Sequence, residues 1–229
     1  MTYDAVLFDN DGVLVTLVEY EVLREAARET FASLGVEPDP AHVDEMALGV
    51  TPEVLSTVCS AYELDPDEFW SVRDRTASLA QQAEVRAGRK ALYGDFDAVR
   101  ALDPPLGIVS SNQQETIDFL LNHFGIGDLF ETAYGREPTV ESLRRKKPEA
   151  HYLERALTDL GAERALFVGD SDVDVLAAAN AGIDSAFVRR DHRADHSLKA
   201  EPTYEIDGLA DLLEIDGVSA APAAGEERA

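Results

Sequence analysis

Four short apolar runs, each broken off or followed by polar residues, constrain the fold of this chain most: Ala5 to Phe8, Leu106 to Val109, Ala165 to Val168 and Ser185 to Val188. Short unbroken apolar runs without alternation are what strands look like when both faces of their sheet are covered. Helical patterns follow the runs. After Ser110, residues Ile117, Leu120, Leu121 and Phe124 recur at i, i+3, i+4 and i+7, with Gly125 as the stop. Leu153, Ala156, Leu157 and Leu160 repeat the pattern before Gly161. Strands alternating with helices predict an α/β fold, a doubly wound parallel sheet with helices on both faces.

One region departs from this rhythm. From about Val15 to Gly88 the spacing of Leu23, Ala27, Phe31 and Leu34 is helical, and no strand run interrupts it. Gly35 to Pro40 and Leu64-Asp65-Pro66 punctuate it as turns. The expected organisation is therefore a core built from residues 1–14 and 89–216, with an inserted helical unit over 15–88. Residues 217–229, rich in Ala, Glu, Gly and Pro, are expected to form a disordered tail. A length of 229 residues with 45% hydrophobic content suits such a core plus insertion.

Charge excludes whole classes of function. The chain carries 45 Asp plus Glu against 20 Lys plus Arg, a formal net charge of −25. A surface this acidic repels nucleic acid and anionic membranes, so neither is an expected partner. The only lysines are Lys90, Lys146, Lys147 and Lys199. An acidic, lysine-poor surface resembles those of proteins from salt-accumulating halophiles, where the Debye length falls to about 3 Å and self-repulsion is screened. Cys59, the single cysteine, leaves neither an intrachain disulfide nor a cysteine metal cluster. The N-terminus has no signal-peptide pattern and no apolar stretch is long enough to span a bilayer, so the expected location is the cytoplasm.

The strand ends carry the chemistry. Phe8-Asp9-Asn10-Asp11-Gly12 sets two carboxylates two residues apart where a buried strand stops, the edge at which open α/β sheets bind ligands. Neighbouring ionised carboxylates in such a place are costly without a cation, and a hard, oxygen-ligated ion such as Mg2+ answers that cost. Gly12 lets main-chain N–H groups approach an anion. Ser110-Ser111-Asn112 ends a second strand with groups that suit either a phosphate site or an ordinary helix cap. Lys146-Lys147-Pro148 brings scarce positive charge to a helix mouth, with Pro148 expected in the first turn; a solvated basic patch is the alternative. Gly169-Asp170-Ser171-Asp172-Val173-Asp174 ends a third strand in acids. There Asp170 is the candidate metal ligand and Asp174 a supporting group, unless they only stabilise a helix dipole. Taken together, the set suits attack of a carboxylate on phosphorus, with Mg2+ and a lysine stabilising charge. Asp11, held protonated, would donate to the leaving alcohol and then accept from water.

In this order and spacing the four motifs resemble those of the haloacid dehalogenase superfamily, over nearly the whole chain to about Ile215. The resemblance implies Asp9 as nucleophile and Mg2+ ligand, and Asp11 as acid/base with its main-chain carbonyl on the metal. It implies Ser110 on the transferred phosphoryl group, Lys147 between nucleophile and phosphate, and Asp170 completing the metal site. The helical insertion looks like the small cap that closes over such sites and selects substrate. The chain is similar to the phosphoglycolate phosphatase and β-phosphoglucomutase branch, which implies a phosphatase acting on a small phosphorylated metabolite. The dehalogenases lack an acid at the place of Asp11. Two positions depart from the pattern: Thr16 stands where an Asp is usual, and Gly49-Val50-Thr51-Pro52-Glu53 has Pro52 where the mutase carries an Arg for a second phosphate. That favours hydrolysis over phosphosugar transfer. A non-enzymatic phospho-acceptor resembling a receiver domain is the alternative from another class.

Other residues are expected to be bland. His192 and His196 lie in a polar stretch, Arg190 to His196, that reads as a solvated loop. Cys59, Phe69 and Trp70 read as packing within the helical unit, and Arg86 and Arg89 as a solvated junction.

Overall fold

The computed structural model describes residues 2–221. Strands β1 (Ala5–Phe8), β2 (Leu106–Gln113), β3 (Thr132–Arg136), β4 (Ala165–Gly169), β5 (Asp184–Val188) and β6 (Tyr204–Ile206) form one parallel sheet, in the order β3-β2-β1-β4-β5-β6. β1 lies at the centre, with Phe8 level with Ile108 of β2 and Val168 of β4. The carboxyl ends of these three strands therefore meet where the strand order reverses.

The pleat divides the core. Val6 and Phe8 pack on one face with Ile108, Leu166 and Val168, while Leu7 joins Val109, Phe167, Tyr152 and Leu153 on the other. Helices α1 (Tyr20–Ser33), α2 (Pro40–Ala47), α3 (Pro52–Ala61) and α4 (Pro66–Arg86) all fall between β1 and β2. The prolines that punctuate this region start its helices: Asp39, Thr51 and Asp65 cap α2, α3 and α4, each followed by Pro at the first position. The four helices surround an apolar cluster that includes Phe31, Met46, Leu55, Cys59, Phe69 and Trp70. α5 (Asp97–Arg100) precedes β2, and α6 (Gln114–Phe124) follows it. α7 (Ser142–Arg145) and α8 (His151–Leu160) link β3 to β4, and α9 (Asp172–Ala181) links β4 to β5. Gly125 and Gly161 close α6 and α8 in the left-handed conformation, as their positions predict.

The helical unit leaves and rejoins the sheet through paired segments. Thr16 N–H donates to Ala91 O (2.8 Å), Ala91 N–H to the Thr16 hydroxyl (3.1 Å), and Tyr93 N–H to Leu14 O (3.0 Å). The Thr16 hydroxyl thus serves the junction where an Asp is usual.

Two strands are new and two expectations change. Edge strands β3 and β6 carry too little apolar patterning to be read in advance. Pro148 lies in the turn before α8, which starts at His151, and not in its first turn. The expected tail is wrong at its start: Gly217 O accepts from Tyr3 N–H (2.8 Å), and Ser219 and Ala221 pair with Asp103 and Ala101. The rest of that expectation falls on residues 222–229, outside the described residues.

Candidate active site

Asp9 follows β1 directly, and its N–H still bonds Val168 O (2.8 Å), which fixes it beside the end of β4. Lys147 Nζ lies 2.9 Å from Asp9 Oδ1 and 2.6 Å from Asp174 Oδ1. Carboxylate oxygens of Asp9, Asp170 and Asp174 lie within 4.8 Å of one another, and all three residues are buried. Asp174 is built into the start of α9. Its Oδ2 accepts from Asp170 N–H (3.2 Å), Ser171 N–H (3.1 Å) and the Ser171 hydroxyl, leaving Oδ1 to the lysine. Gly169 makes this possible, because a Cβ there would lie 2.2 Å from that of Asp174.

Asp9 and Asp174 share one lysine here, and Asp170 beside them meets the Arg193 guanidinium at one oxygen, so three carboxylates face two fixed positive charges. Burial, opposed by Lys147 and reinforced by Asp174 and Asp170, pushes the Asp9 carboxyl up to about 7. Burial works against the Lys147 ammonium, but Asp174 and Asp9 together hold it above the usual lysine range. The uncompensated negative charge, presented entirely by oxygen donors, fits a hard divalent cation such as Mg2+. Among the described residues Asp170 Oδ1 accepts no hydrogen bond, so one oxygen of that carboxylate is free for such an ion. The Asp11 side chain lies outside the acidic group. What the resemblance assigns to Asp11 toward the metal is its main-chain carbonyl.

Asp11 sits in a different environment. Its Oδ1 pairs with Lys90, whose side chain is fully buried, and Lys90 also donates to Gln81 Oε1 (2.9 Å). Asp11 Oδ2 accepts from Asn112 Nδ2 (2.8 Å) and Asn10 Nδ2 (3.2 Å). Burial alone would raise the Asp11 carboxyl, but the Lys90 charge and these donors hold it below the usual carboxylate range. The expectation has Asp11 protonated when it meets the leaving alcohol; with Lys90 and two amides on it, the side chain's surroundings instead favour its carboxylate form.

The remaining expected residues divide. Ser110 is buried on β2, where its Oγ accepts from Asn112 N–H (3.2 Å). β2 runs on to Gln113 and α6 begins at Gln114, so Ser110 caps no helix. Ser111 Oγ is buried without a hydrogen-bond partner among the described residues, and Ser111 O accepts from Arg136 Nε (3.0 Å). The Asn112 amide is spent on Asp11 and Gln81. Gly12 (φ 81°) packs beneath Asp170, and a Cβ there would lie 2.4 Å from Asp170 Oδ2. The two adjacent lysines separate: Lys147 faces the acids, whereas Lys146 Nζ donates to Val50 O (2.6 Å) in the turn before α3. Trp70, expected to pack within the helical unit, does so; its ring has Arg73 and Arg136 at 5.1 and 4.9 Å.

Several neighbours of the site were not foreseen. Arg136 at the end of β3 grips Asp74 of α4 through two nitrogens (2.7 and 2.9 Å), tying the helical unit to the sheet. Lys90 and Gln81 join Asp11 to the same helix. His192, expected in a solvated loop, places Nε2 2.6 Å from Asp170 Oδ2. The scarcity of lysine was the one signal that could have marked Lys90.

The chain is 32% identical to the pyrophosphatase PpaX of Halalkalibacterium halodurans over 228 residues, covering 96% of this chain and 100% of that one. It is 28% identical to a phosphoglycolate phosphatase of Pectobacterium atrosepticum, over 81% of this chain and 68% of that protein. In fold it is similar to CbbY of Rhodobacter sphaeroides, solved in complex with phosphate, with a TM-score of 0.68 at 22% identity over 92% of this chain and 96% of that one. Residues 3–182 match the family model for haloacid dehalogenase-like hydrolases, and the chain belongs to that family.

Proposed function

We propose that this haloacid dehalogenase-like phosphatase hydrolyses a small phosphorylated metabolite, with Asp9 as the nucleophile and Asp11 as the proton carrier. The observation that carries this reading is the single lysine shared by Asp9 and Asp174, with Asp170 alongside. Such a site is short of positive charge, and Mg2+ held by Asp9, Asp170 and the Asp11 carbonyl would stabilise charge on the transferring oxygens. An Asp9 carboxylate oxygen bonds to phosphorus as the bond to the leaving oxygen breaks, giving an aspartyl phosphate. Lys147 and the Ser110 hydroxyl hold the transferred group. Water then attacks phosphorus and frees Asp9. The negative charge of the arriving phosphate raises the proton affinity of Asp11, which takes up a proton from solvent as substrate binds, passes it to the leaving oxygen and recovers one from the attacking water.

The substrate class is a phosphoglycolate- or sugar-phosphate-type ester, acted on in the cytoplasm. The relatives named pyrophosphatase add inorganic diphosphate to the candidates. Transfer between phosphosugars is disfavoured, because the turn before α3 presents Thr51 and Pro52, with Val50 O engaged by Lys146. The receiver-like alternative loses its support with the family match over residues 3–182. The test is phosphate release from a panel of phosphorylated metabolites and diphosphate, with Mg2+ or EDTA. It is run at low and molar salt because the net charge is −25. EDTA-sensitive release is expected. No release from any substrate by metal-replete protein would sink the proposal, and isomer interconversion without free phosphate would replace it with the mutase reading.

A further inference from the structure

The stretch from Arg189 to Lys199 folds back over the end of β4 instead of reaching into solvent. Arg190 fixes its start, donating to Asp95 (2.7 and 3.0 Å) and to Val13 O (2.8 Å). Arg189 Nη1 gathers the turn by donating to the carbonyls of Arg193 (3.1 Å) and His196 (3.0 Å). The far end is tied to α9, where Asp172 accepts from Lys199 N–H (2.6 Å) and lies 2.8 Å from His196 Nε2. So held, the loop brings two side chains to one atom. His192 Nε2 and Arg193 Nε lie 2.6 and 3.3 Å from Asp170 Oδ2. The same oxygen rests against Gly12, where a Cβ would be 2.4 Å from it and 3.1 Å from His192 Nε2. The other oxygen, Oδ1, takes no hydrogen bond among the described residues.

We infer that His192 and Arg193 are positioning residues for the divalent cation: by occupying Oδ2 of Asp170 they leave Oδ1 as a fixed, single-oxygen ligand. The inference rests on the reading of Asp170 as a metal ligand. Without these donors Asp170, crowded by Asp9 and Asp174, is free to turn, and the cation must bear the cost of ordering it. Hydrogen-bonding partners of ligating carboxylates typically contribute about 10- to 100-fold in metal affinity.

The experiment is calorimetric titration of Mg2+ into EDTA-stripped full-length protein, with thermal melting in EDTA to establish that each variant folds. His192→Ala is expected to bind Mg2+ about 10-fold more weakly, and the variant lacking both side chains more weakly still. The Mg2+ concentration for half-maximal phosphate release should rise in parallel. His192→Gln, which can return an N–H close to the place of Nε2, should recover most of the loss. Unchanged affinity in the double variant overturns the inference. So does tighter binding, which would make the loop a competitor of the cation, or equal losses in His192→Ala and His192→Gln. A wild-type protein that binds no Mg2+ removes the metal reading and the inference with it; a wild type that binds while the variants match it removes the inference alone.

Discussion

Asp9 and Asp11 stand two residues apart, and each meets a buried lysine, yet their carboxyls move in opposite directions. The difference lies in how the positive charge is divided. Lys147 is shared with Asp174, and Asp170 adds a third carboxylate beside it. Among the described residues Asp11 is the one carboxylate on Lys90, and the amides of Asn10 and Asn112 complete the shell. Burial penalises both carboxylates; the ratio of acids to lysines decides which one is relieved. The first arrangement is left wanting a cation. The second is balanced and ties the proton carrier to Gln81 on α4.

The sharpest way to break this comparison is Asp9→Asn. It should lower phosphate release by at least about 1000-fold, since the nucleophile is lost. In EDTA the same variant should melt higher than wild type, because one of three crowded carboxylates is gone. A lower melting temperature would show that Asp9 is not electrostatically penalised. Next comes Lys147→Met, which leaves two buried acids without their counter-charge and should cost about 3–5 kcal/mol in urea unfolding without metal. Lys90→Met should cost less, about 2 kcal/mol, because Asp11 keeps its two amide donors. Equal losses in the two lysine variants would erase the distinction between the clusters.

Reading the sequence reached one cluster more fully than the other, for a physical reason. Asp9 and Asp170 stand just past the ends of buried strands and Ser110 just past the apolar run of β2, and the parallel register of β1, β2 and β4 carries these positions together without any long-range guess. Lys90 lies 79 residues from Asp11 in a polar junction next to Arg89, where a charged residue looks solvated. His192 is 22 residues from Asp170 in an almost wholly polar stretch, and only the folded-back loop gives it a partner. The sheet divides the same way. Its centre is apolar and legible, whereas β3 (Thr132-Ala133-Tyr134-Gly135-Arg136) and the short β6 sit at edges where half-covered strands need little apolar pattern.

The smallest expected effect sharpens the same lesson with Lys146, the chain neighbour of Lys147. Burial, then Arg136 and Arg73, push its amine down to about 8, and Asp74 only partly opposes them. Between about 8 and the ordinary 10.5 the unfolded chain therefore holds a proton that the folded chain has released. Stability must rise with pH across that window, and below it the folded state carries a constant penalty. Allowing for partial exposure, the rise attributable to this lysine is about 2 kcal/mol. The quantity that isolates this lysine is the unfolding free energy of wild type minus that of Lys146→Met in urea, from pH 7 to 10.5. The difference should climb with pH. A flat difference would mean that the Val50 carbonyl fully offsets burial and the two arginines at this ammonium. The contrast between a lysine set among arginines and one set among acids would then fail.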